Sequence, residues 1–556
     1  MADSARLVYV PLGGAGEIGM NCYLYGHGPA ASRRWIMVDC GIGFGDMETS
    51  PGIDLMVPDI RFAISIRDRL DGIFISHAHE DHVGAVARLW DQLRVPIHAT
   101  RFTAEIARRK MVEEGRSPKH VQVVEFGERV QAGPFSVEFI RQTHSTLECS
   151  ALAIRTDRGT ILHSGDFKLD DDPLVGPAAN LAPFEALGRE GVLAMTCDST
   201  NIFTPGTTPS EGSLKPHIER VIAGCEGAVA ATSFASNVVR LKVLAEAAVA
   251  NDRAVVVAGR AMRRMIETAL ETGALESFPS TVPEDRAADI PDRHIFYLVT
   301  GSQGEHRAAL TRIAAGTHPT VSLSDGDTVL FSSRTIPGNE AEIFRLYNRL
   351  SERGVRVVDA DMAQIHASGH AYRDELRALY DAVRPQIALP LHGEHRHLVE
   401  HARSAREWGA PHAVVATNGS LVALDGNAPA VVDMVETGRA YLDGAAYIGA
   451  FDGVVRDRLR LARQGHAIVA LVVDEDGDLI ADPEVRIVGG PDTDALPLTD
   501  LIADEVDRAI DRASRKERSS DETLEQITAR VARKVCMDRW GKKPVTTVIV
   551  TRLEDD

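Results

Sequence analysis

The sequence predicts an α/β protein of several domains: mixed sheets with outer helices, a parallel α/β unit in the middle of the chain, and a small α+β module at the end. Three observations predict it. Short apolar runs alternate with helix-period stretches through the first part of the chain, a βαβ pattern occupies the middle, and a strand–helix–helix–strand pattern closes it. At 556 residues the chain exceeds one ordinary core, and 44% hydrophobic with 25% charged residues is the composition of a folded protein.

From residue 7 to about 75 the pattern is short strands and Gly-rich turns: Leu7-Val8-Tyr9-Val10, Cys22-Tyr23-Leu24-Tyr25 and Trp35-Ile36-Met37-Val38-Asp39. Residues 83–93 have helical spacing. Residues 121–125 and 135–140 read as strands, and Thr160-Ile161-Leu162-His163-Ser164 is another, ending in Gly165-Asp166. Between about 205 and 365, strands such as Ala228-Val229-Ala230-Ala231-Thr232 and residues 254–258 alternate with helical stretches such as 237–249, which predicts a parallel sheet. The Arg-rich amphipathic stretch 454–463 reads as a linker helix. Beyond it two strands flank the turn 474–478, helices span about 498–515 and 522–537, and a strand at 545–551 ends the module.

The start of the chain lacks the pattern of a secretory signal, and no apolar run approaches membrane-spanning length, so a cytoplasmic location and no membrane partner are expected. Six cysteines without a C-x-x-C pair argue against a disulfide framework or a cysteine zinc site. A formal charge of −19 gives no bulk attraction for nucleic acid, so any polyanion must be handled by a focused site.

The run His77-Ala78-His79-Glu80-Asp81-His82 concentrates candidate metal ligands at the end of an apolar strand. Imidazole with carboxylate suits zinc and similar ions, and the spacing allows two neighbouring ions. The alternative is a polar strand-to-helix turn with Asp81 capping the helix. Gly14-Ala15-Gly16-Glu17-Ile18-Gly19 followed by Asp39 superficially fits a dinucleotide fingerprint, but strands rather than a helix are predicted after the glycines, so they read as a tight turn beside the site. Thr143-His144-Ser145, Gly165-Asp166 and His392-Gly393-Glu394 each place a further ligand candidate at a strand end.

Together, His77, His79, Asp81, His82, His144, Asp166 and His392 resemble the successive motifs of the metallo-β-lactamase fold in its nucleic-acid-processing branch, the β-CASP group. Ser233-Phe234-Ala235-Ser236-Asn237, Thr300-Gly301-Ser302-Gln303-Gly304-Glu305, Ile336-Pro337-Gly338-Asn339-Glu340, His366-Ala367-Ser368-Gly369-His370 and residues 392–397 are similar to the bacterial ribonuclease J family. The resemblance implies an αββα metallo-β-lactamase fold at 1–207 and 371–450, a β-CASP domain at 208–370, a linker at 451–465 and a C-terminal α+β domain at 466–556. It also implies a zinc-dependent 5′-to-3′ exoribonuclease with possible endonuclease activity, acting in RNA maturation and decay.

Two zinc ions are expected, with manganese or magnesium as alternative activating ions: one on His77, His79 and His144, the second on Asp81, His82 and His392, with Asp166 bridging. Paired cations acidify a shared water and offset charge on a phosphodiester. Asp198 would orient a ligating histidine, although an Asx turn is an equal alternative from the residues alone, and His370 would bind the scissile phosphate or protonate the leaving oxygen. Ser233, Ser236, Asn237, His366, Ser368, Gly369 and His370 are the expected RNA contacts, with a 5′-monophosphate end on single-stranded RNA favoured. A homodimer or homotetramer is expected. DNA or purely internal RNA cleavage, a metal-dependent hydrolase of small esters or lactams, and an inactive RNA-binding scaffold are the rival readings. The segment Thr146-Leu147-Glu148-Cys149 departs from the family form, which puts local loop geometry in doubt.

Overall fold

In the computed structural model the first strand, Leu7–Gly13, is buried at every position and pairs antiparallel with Cys22–His27, which in turn pairs with Arg34–Val38. Residues 6–45, 48–336, 338–425, 428–444, 446–449 and 452–553 are described. Pro337 of the 336–340 motif, residues 1–5 and the expected boundary at 450–451 lie outside them.

The strands just named belong to an eight-stranded sheet that continues through Leu70–Phe74, Ile97–Ala99 and Val121–Val123, and on its other side through Ser420–Ala423 and Ala430–Met434. A seven-stranded sheet runs Arg129–Ala132, Phe135–Arg141, Ser150–Thr156, Gly159–His163, Ala194–Asp198, Ile387–Leu391 and His412–Ala413. Alternate residues of both sheets, among them Tyr9, Tyr25, Val38, Phe135, Phe139, Leu152 and Leu389, fill one apolar layer between them. The outer face of the second sheet is covered by the helices Ala182–Glu190, Arg373–Val383 and His395–Glu407 through Phe184, Leu187, Leu379, Tyr380 and Ala402. The result is the expected helix–sheet–sheet–helix sandwich. The Gly14–Gly19 turn leads into the strand Cys22–His27 rather than opening a helix, which removes the dinucleotide reading.

Residues between Ala194–Asp198 and Ile387–Leu391 leave and rejoin this sheet at adjacent parallel strands. They contain a six-stranded parallel sheet in the order Thr281–Val282, Ala254–Ala258, Ile295–Val299, Val229–Thr232, Thr328–Phe331 and Arg356–Val358, with apolar cores on both faces. Continuous apolar strands such as Val255, Val256 and Val257 are what burial on both faces requires. The loops that carry Ser233, Ser302 and Ser332 all follow the carboxyl ends of these strands, the edge where open parallel sheets place ligands.

The described residues divide into two units, 6–43 with 56–440 and 44–55 with 441–553. In the second, Glu484–Val488, His466–Val473 and Val545–Arg552 form a three-stranded sheet, with Val469, Leu471 and Val473 packed on Ile502, Val506 and Leu524 of two helices, Leu498–Asp511 and Asp521–Trp540. The stretch read as a linker forms the helix Val454–Gln464, but it is tied into this unit: Arg458 bonds the Pro51 carbonyl and pairs with Asp443. The six cysteines are free thiols, five of them buried. No helix among the described residues is long and apolar enough to cross a membrane.

Candidate metal centre

The strand Leu70–Phe74 delivers Ile75 and Ser76 to the end of the sheet, where His77 is fully buried and His79 starts the one-turn helix Glu80–Val83. Asp81 lies inside that turn, and the next helix, Val86–Leu93, starts after Ala85 with no side-chain cap bond, so the capping alternative fails. The Asp81 backbone is instead pinned from outside: the Asn21 N–H donates to the Asp81 carbonyl (2.8 Å), and a Cβ on Gly41 would fall within 1.7 Å of that oxygen. The Gly-rich turn also lies here, the Gly14 carbonyl accepting from the His392 N–H at 2.6 Å.

Two four-ligand groups result. His77, His79, His144 and Asp166 form one; Asp81, His82, Asp166 and His392 form the other, the chosen donor atoms of each lying within 4.8 Å of one another. Asp166 belongs to both. A third group, Asp166, Asp198, His370 and His392, adjoins them. Glu80 points elsewhere and pairs with Lys110 at 2.6 Å.

Hydrogen bonds on the far ring nitrogens orient these imidazoles. His82 Nδ1 contacts Asp39 Oδ2 (2.7 Å), which also accepts from Ser76 Oγ (2.8 Å), leaving His82 Nε2 3.0 Å from Asp166 Oδ2. His77 Nδ1 contacts Ser76 Oγ (2.9 Å), and His144 Nδ1 donates to the Gly369 carbonyl at 2.5 Å. His392 Nδ1 meets Thr200 Oγ1 (3.0 Å), while its Nε2 lies 3.2 Å from Asp81 Oδ2. Such outer partners fix tautomer and ring direction in metal sites. Sequence reading did not assign Asn21, Asp39, Ser76 or Thr200 a place here. Asn21 Nδ2 lies 2.9 Å from His82 Nε2, and Tyr23 donates to Asn21 Oδ1 at 2.6 Å. The sole sequence signal was position, since Asp39 and Asn21 each abut a predicted strand.

The donor set fits a cation. His77 Nε2 and Asp166 Oδ1 are buried without a hydrogen-bond partner among the described residues. Burial pushes the His77 and His144 imidazoles well down and His79 to about 4, so all three offer neutral lone pairs. Burial opposes the charge on Asp166, but His392 and His82 outweigh it and hold the carboxyl well below its usual range. Conversely, burial opposes protonation of His392, yet Asp166, Asp198 and Asp81 push it up to about 10, and Asp166 and Asp81 similarly raise His82. The carboxylates thus attract positive charge to the positions that a metal would take from these protons.

Asp198 makes the Asx turn and also a short bond to a histidine. Oδ1 accepts from the Thr200 N–H (2.9 Å) in an Asx turn, and Oδ2 holds His370 Nδ1 at 2.8 Å; His392 Nδ1 is 3.5 Å from Oδ1. Its close histidine partner is therefore His370, outside the two four-ligand groups. Of the expected RNA contacts, Ser368 Oγ accepts from Asn201 Nδ2 (2.9 Å) and from the His370 N–H (3.1 Å). Ser233 Oγ donates to the Ser332 carbonyl (3.1 Å), Asn237 caps the helix Val238–Ala250, and Ser236 is half-buried. A Cβ on Gly369 would meet Ser145 Oγ at 2.4 Å and His144 Cε1 at 2.8 Å, so the close approach to His144 needs glycine. In the divergent loop, Glu148, at φ 53°, accepts from the Phe102 N–H (2.7 Å) at the start of the helix Arg101–Glu113, and the Cys149 thiol donates to the Asp166 carbonyl (3.1 Å). Glu148 and Cys149 thus anchor the loop.

Four family models match the chain: a beta-lactamase superfamily domain over residues 34–191, the ribonuclease J beta-CASP domain over 226–350, a Zn-dependent metallo-hydrolase RNA specificity domain over 354–415, and the ribonuclease J C-terminal domain over 453–553. Similar relatives include ribonuclease J of Sinorhizobium meliloti, 42% identical across 100% of this chain and 98% of the relative, and ribonuclease J of Mycolicibacterium smegmatis, 37% identical across 97% and 96%. Ribonuclease J of Helicobacter pylori is 30% identical across 98% and 79%. A solved structure of a protein of unknown function from Enterococcus faecalis superposes with a TM-score of 0.52 over 75% of this chain and 99% of that one; at 17% identity it speaks for the fold alone.

Proposed function

The chain belongs to the ribonuclease J family and is a metal-dependent ribonuclease, and on that premise we propose that it degrades single-stranded RNA from the 5′ end, with internal cleavage as a secondary activity. The observation that carries this reading is the pair of four-ligand groups sharing Asp166, met at His144 by the Gly369 carbonyl from the end of a domain whose strand ends carry hydroxyls and amides. One zinc would be held by His77, His79 and His144 and another by Asp81, His82 and His392, with Asp166 available to both and manganese or magnesium as substitutes. Bound there, the cations would acidify a water and offset phosphodiester charge.

The chain's own residues do the rest. Asp198 holds His370 by Nδ1, so the proton delivered to the leaving 3′ oxygen, or the bond given to the scissile phosphate, comes from His370 Nε2. The products are a 5′-phosphate and a 3′-hydroxyl. Ser233, Ser236, Asn237, His366, Ser368 and Gly369 form the proposed cradle for the 5′-monophosphate, a neutral donor set that suits one phosphate held beside an acidic protein. The proposed domain limits are 1–207 and 371–450 for the catalytic sandwich, 208–370 for the inserted domain, and 466–556 for the C-terminal domain. A cytoplasmic homodimer or homotetramer acting in RNA maturation and decay completes the proposal.

A time course on RNA labelled at either end, bearing a 5′-monophosphate or a 5′-triphosphate, tests it. Release of mononucleotides from the monophosphorylated end, abolished by chelator, is expected. A ladder of internal products alone, indifferent to the 5′ group, would overturn the exonuclease reading, and DNA cleavage at equal rate would overturn the substrate.

A further inference from the structure

Arg240 is an arginine with no exposed surface, in the helix Val238–Ala250 of the inserted domain. Its Nε and Nη2 form a fork on Glu211, at 2.9 and 2.8 Å. Its remaining donors go to two stretches: Nη1 reaches the Ile365 and Ser332 carbonyls and Nη2 the Ala367 carbonyl, each at 3.3 Å, and Nη1 also meets Ser332 Oγ at 3.0 Å. Ser332 Oγ in turn donates to the Ile365 carbonyl at 2.6 Å. Nη1 lies 3.2 Å from His366 Nδ1. The segment so held continues into Ser368, Gly369 and His370, and the Gly369 carbonyl is the acceptor for His144.

A guanidinium is only a donor and does not lose its proton in a protein, so a ring nitrogen facing it must be the acceptor. We propose that Arg240 is a positioning residue for RNA cleavage: it fixes the 365–370 segment by its carbonyls and imposes on His366 the neutral tautomer with the proton on Nε2, a permanent uncharged donor to a phosphate oxygen. This rests on the reading of that segment as the RNA-facing loop. The other groups facing His366 are Arg334, which opposes its protonation, and Glu211 and the Ser332 carbonyl, which favour it; burial and Arg240 prevail and push it down to about 3. An ordinary histidine would change charge near pH 6.5 and alter phosphate binding across the working range.

The first test is 15N NMR of the zinc-loaded full-length chain labelled at histidine, with His366 identified by its loss in His366→Gln. The Nε2–H tautomer, unchanged from about pH 5 to 8 around the ordinary histidine value, is expected; an Nδ1–H tautomer or a midpoint near 6.5 overturns the proposal. The second is Arg240→Lys, which keeps the charge opposite Glu211 but removes the fork. Metal content should stay at the wild-type level while kcat/KM falls about tenfold or more, chiefly through KM, the size typical of an orienting partner, and the pH profile should gain a new limb near 6.5. Wild-type kcat/KM with an unaltered pH profile overturns it. The tautomer is read without RNA turnover, so a wild-type chain that shows it yet cleaves no RNA would refute the proposed function and leave the assignment of Arg240's partner intact.

Discussion

Replacing Asp39 by asparagine tests a residue that has no ligand role of its own and acts through His82. The carboxylate accepts from the Ser76 N–H at 2.7 Å and Ser76 Oγ at 2.8 Å, and it meets His82 Nδ1 at 2.7 Å, all out of contact with solvent. An amide supplies one acceptor oxygen and one donor in the same place, so the NH2 must face either the Ser76 side or His82. Facing His82, it favours the tautomer whose proton sits on Nε2, the atom that lies 3.0 Å from Asp166. Loss of an orienting partner costs about 10–100-fold in metal affinity, or about 1.4–2.8 kcal/mol. The loss should be confined to the group containing His82, because His77, His79 and His144 take their orientation from Ser76, neighbouring histidine and Gly369 rather than from Asp39 directly. Chelator-competition titration with elemental analysis reads this as one weakened site beside one of nearly normal affinity. Wild-type affinity at both sites would refute the assignment of Asp39 as the anchor of His82.

His79→Ala should lose metal and RNA cleavage together, and near-normal metal content by elemental analysis would remove it from the ligand set. His370→Ala should retain metal while single-turnover cleavage slows by about 10²–10⁴, the range for a lost general acid; unchanged kinetics would exclude it from the mechanism. Gly369→Ala should weaken metal binding by driving Ser145 and His144 apart from their present positions, and an unaltered affinity would show that the loop yields freely. Burial pushes His163 and His401 down to about 4. Between about 6.5 and 4 the unfolded chain therefore binds more protons than the folded one, and stability falls on acidification by up to ~1.4 kcal/mol per pH unit for each histidine. Urea midpoints measured across that interval should decline, with a smaller slope in His401→Gln; a flat profile contradicts it.

Much of the fold was legible because its strands are written as uninterrupted apolar runs between Gly-rich turns, and residues 254–258 stand in the structure as they read in the sequence. The run His77–His82 was legible for a related reason, since several ligands share one strand end. What sequence could not supply was the outer ring of the site. Asn21, Asp39 and Thr200 are common residues whose meaning comes from strands and turns that meet in space, and Asp39 was visible first as a misleading partner for a glycine motif. The stretch read as a linker helix is the helix Val454–Gln464, and its anchorage through Arg458 to the segment at Pro51 and Asp443 could not be read from the sequence because those residues meet it only in space. Asp198 was read as orienting a metal ligand, and its short bond goes to His370, a choice made by tertiary geometry alone.

The most direct measurement pairs metal stoichiometry with cleavage on one sample. Elemental analysis of the dialysed full-length chain, run beside a 5′-end-labelled RNA assay, should find two transition-metal ions per chain, the number that the paired four-ligand groups sharing Asp166 would hold. Activity should disappear with the metal on chelation and return on adding zinc or manganese. Full cleavage of RNA by a chain that holds no metal, or a fully loaded chain that leaves RNA intact, would contradict the two-metal ribonuclease.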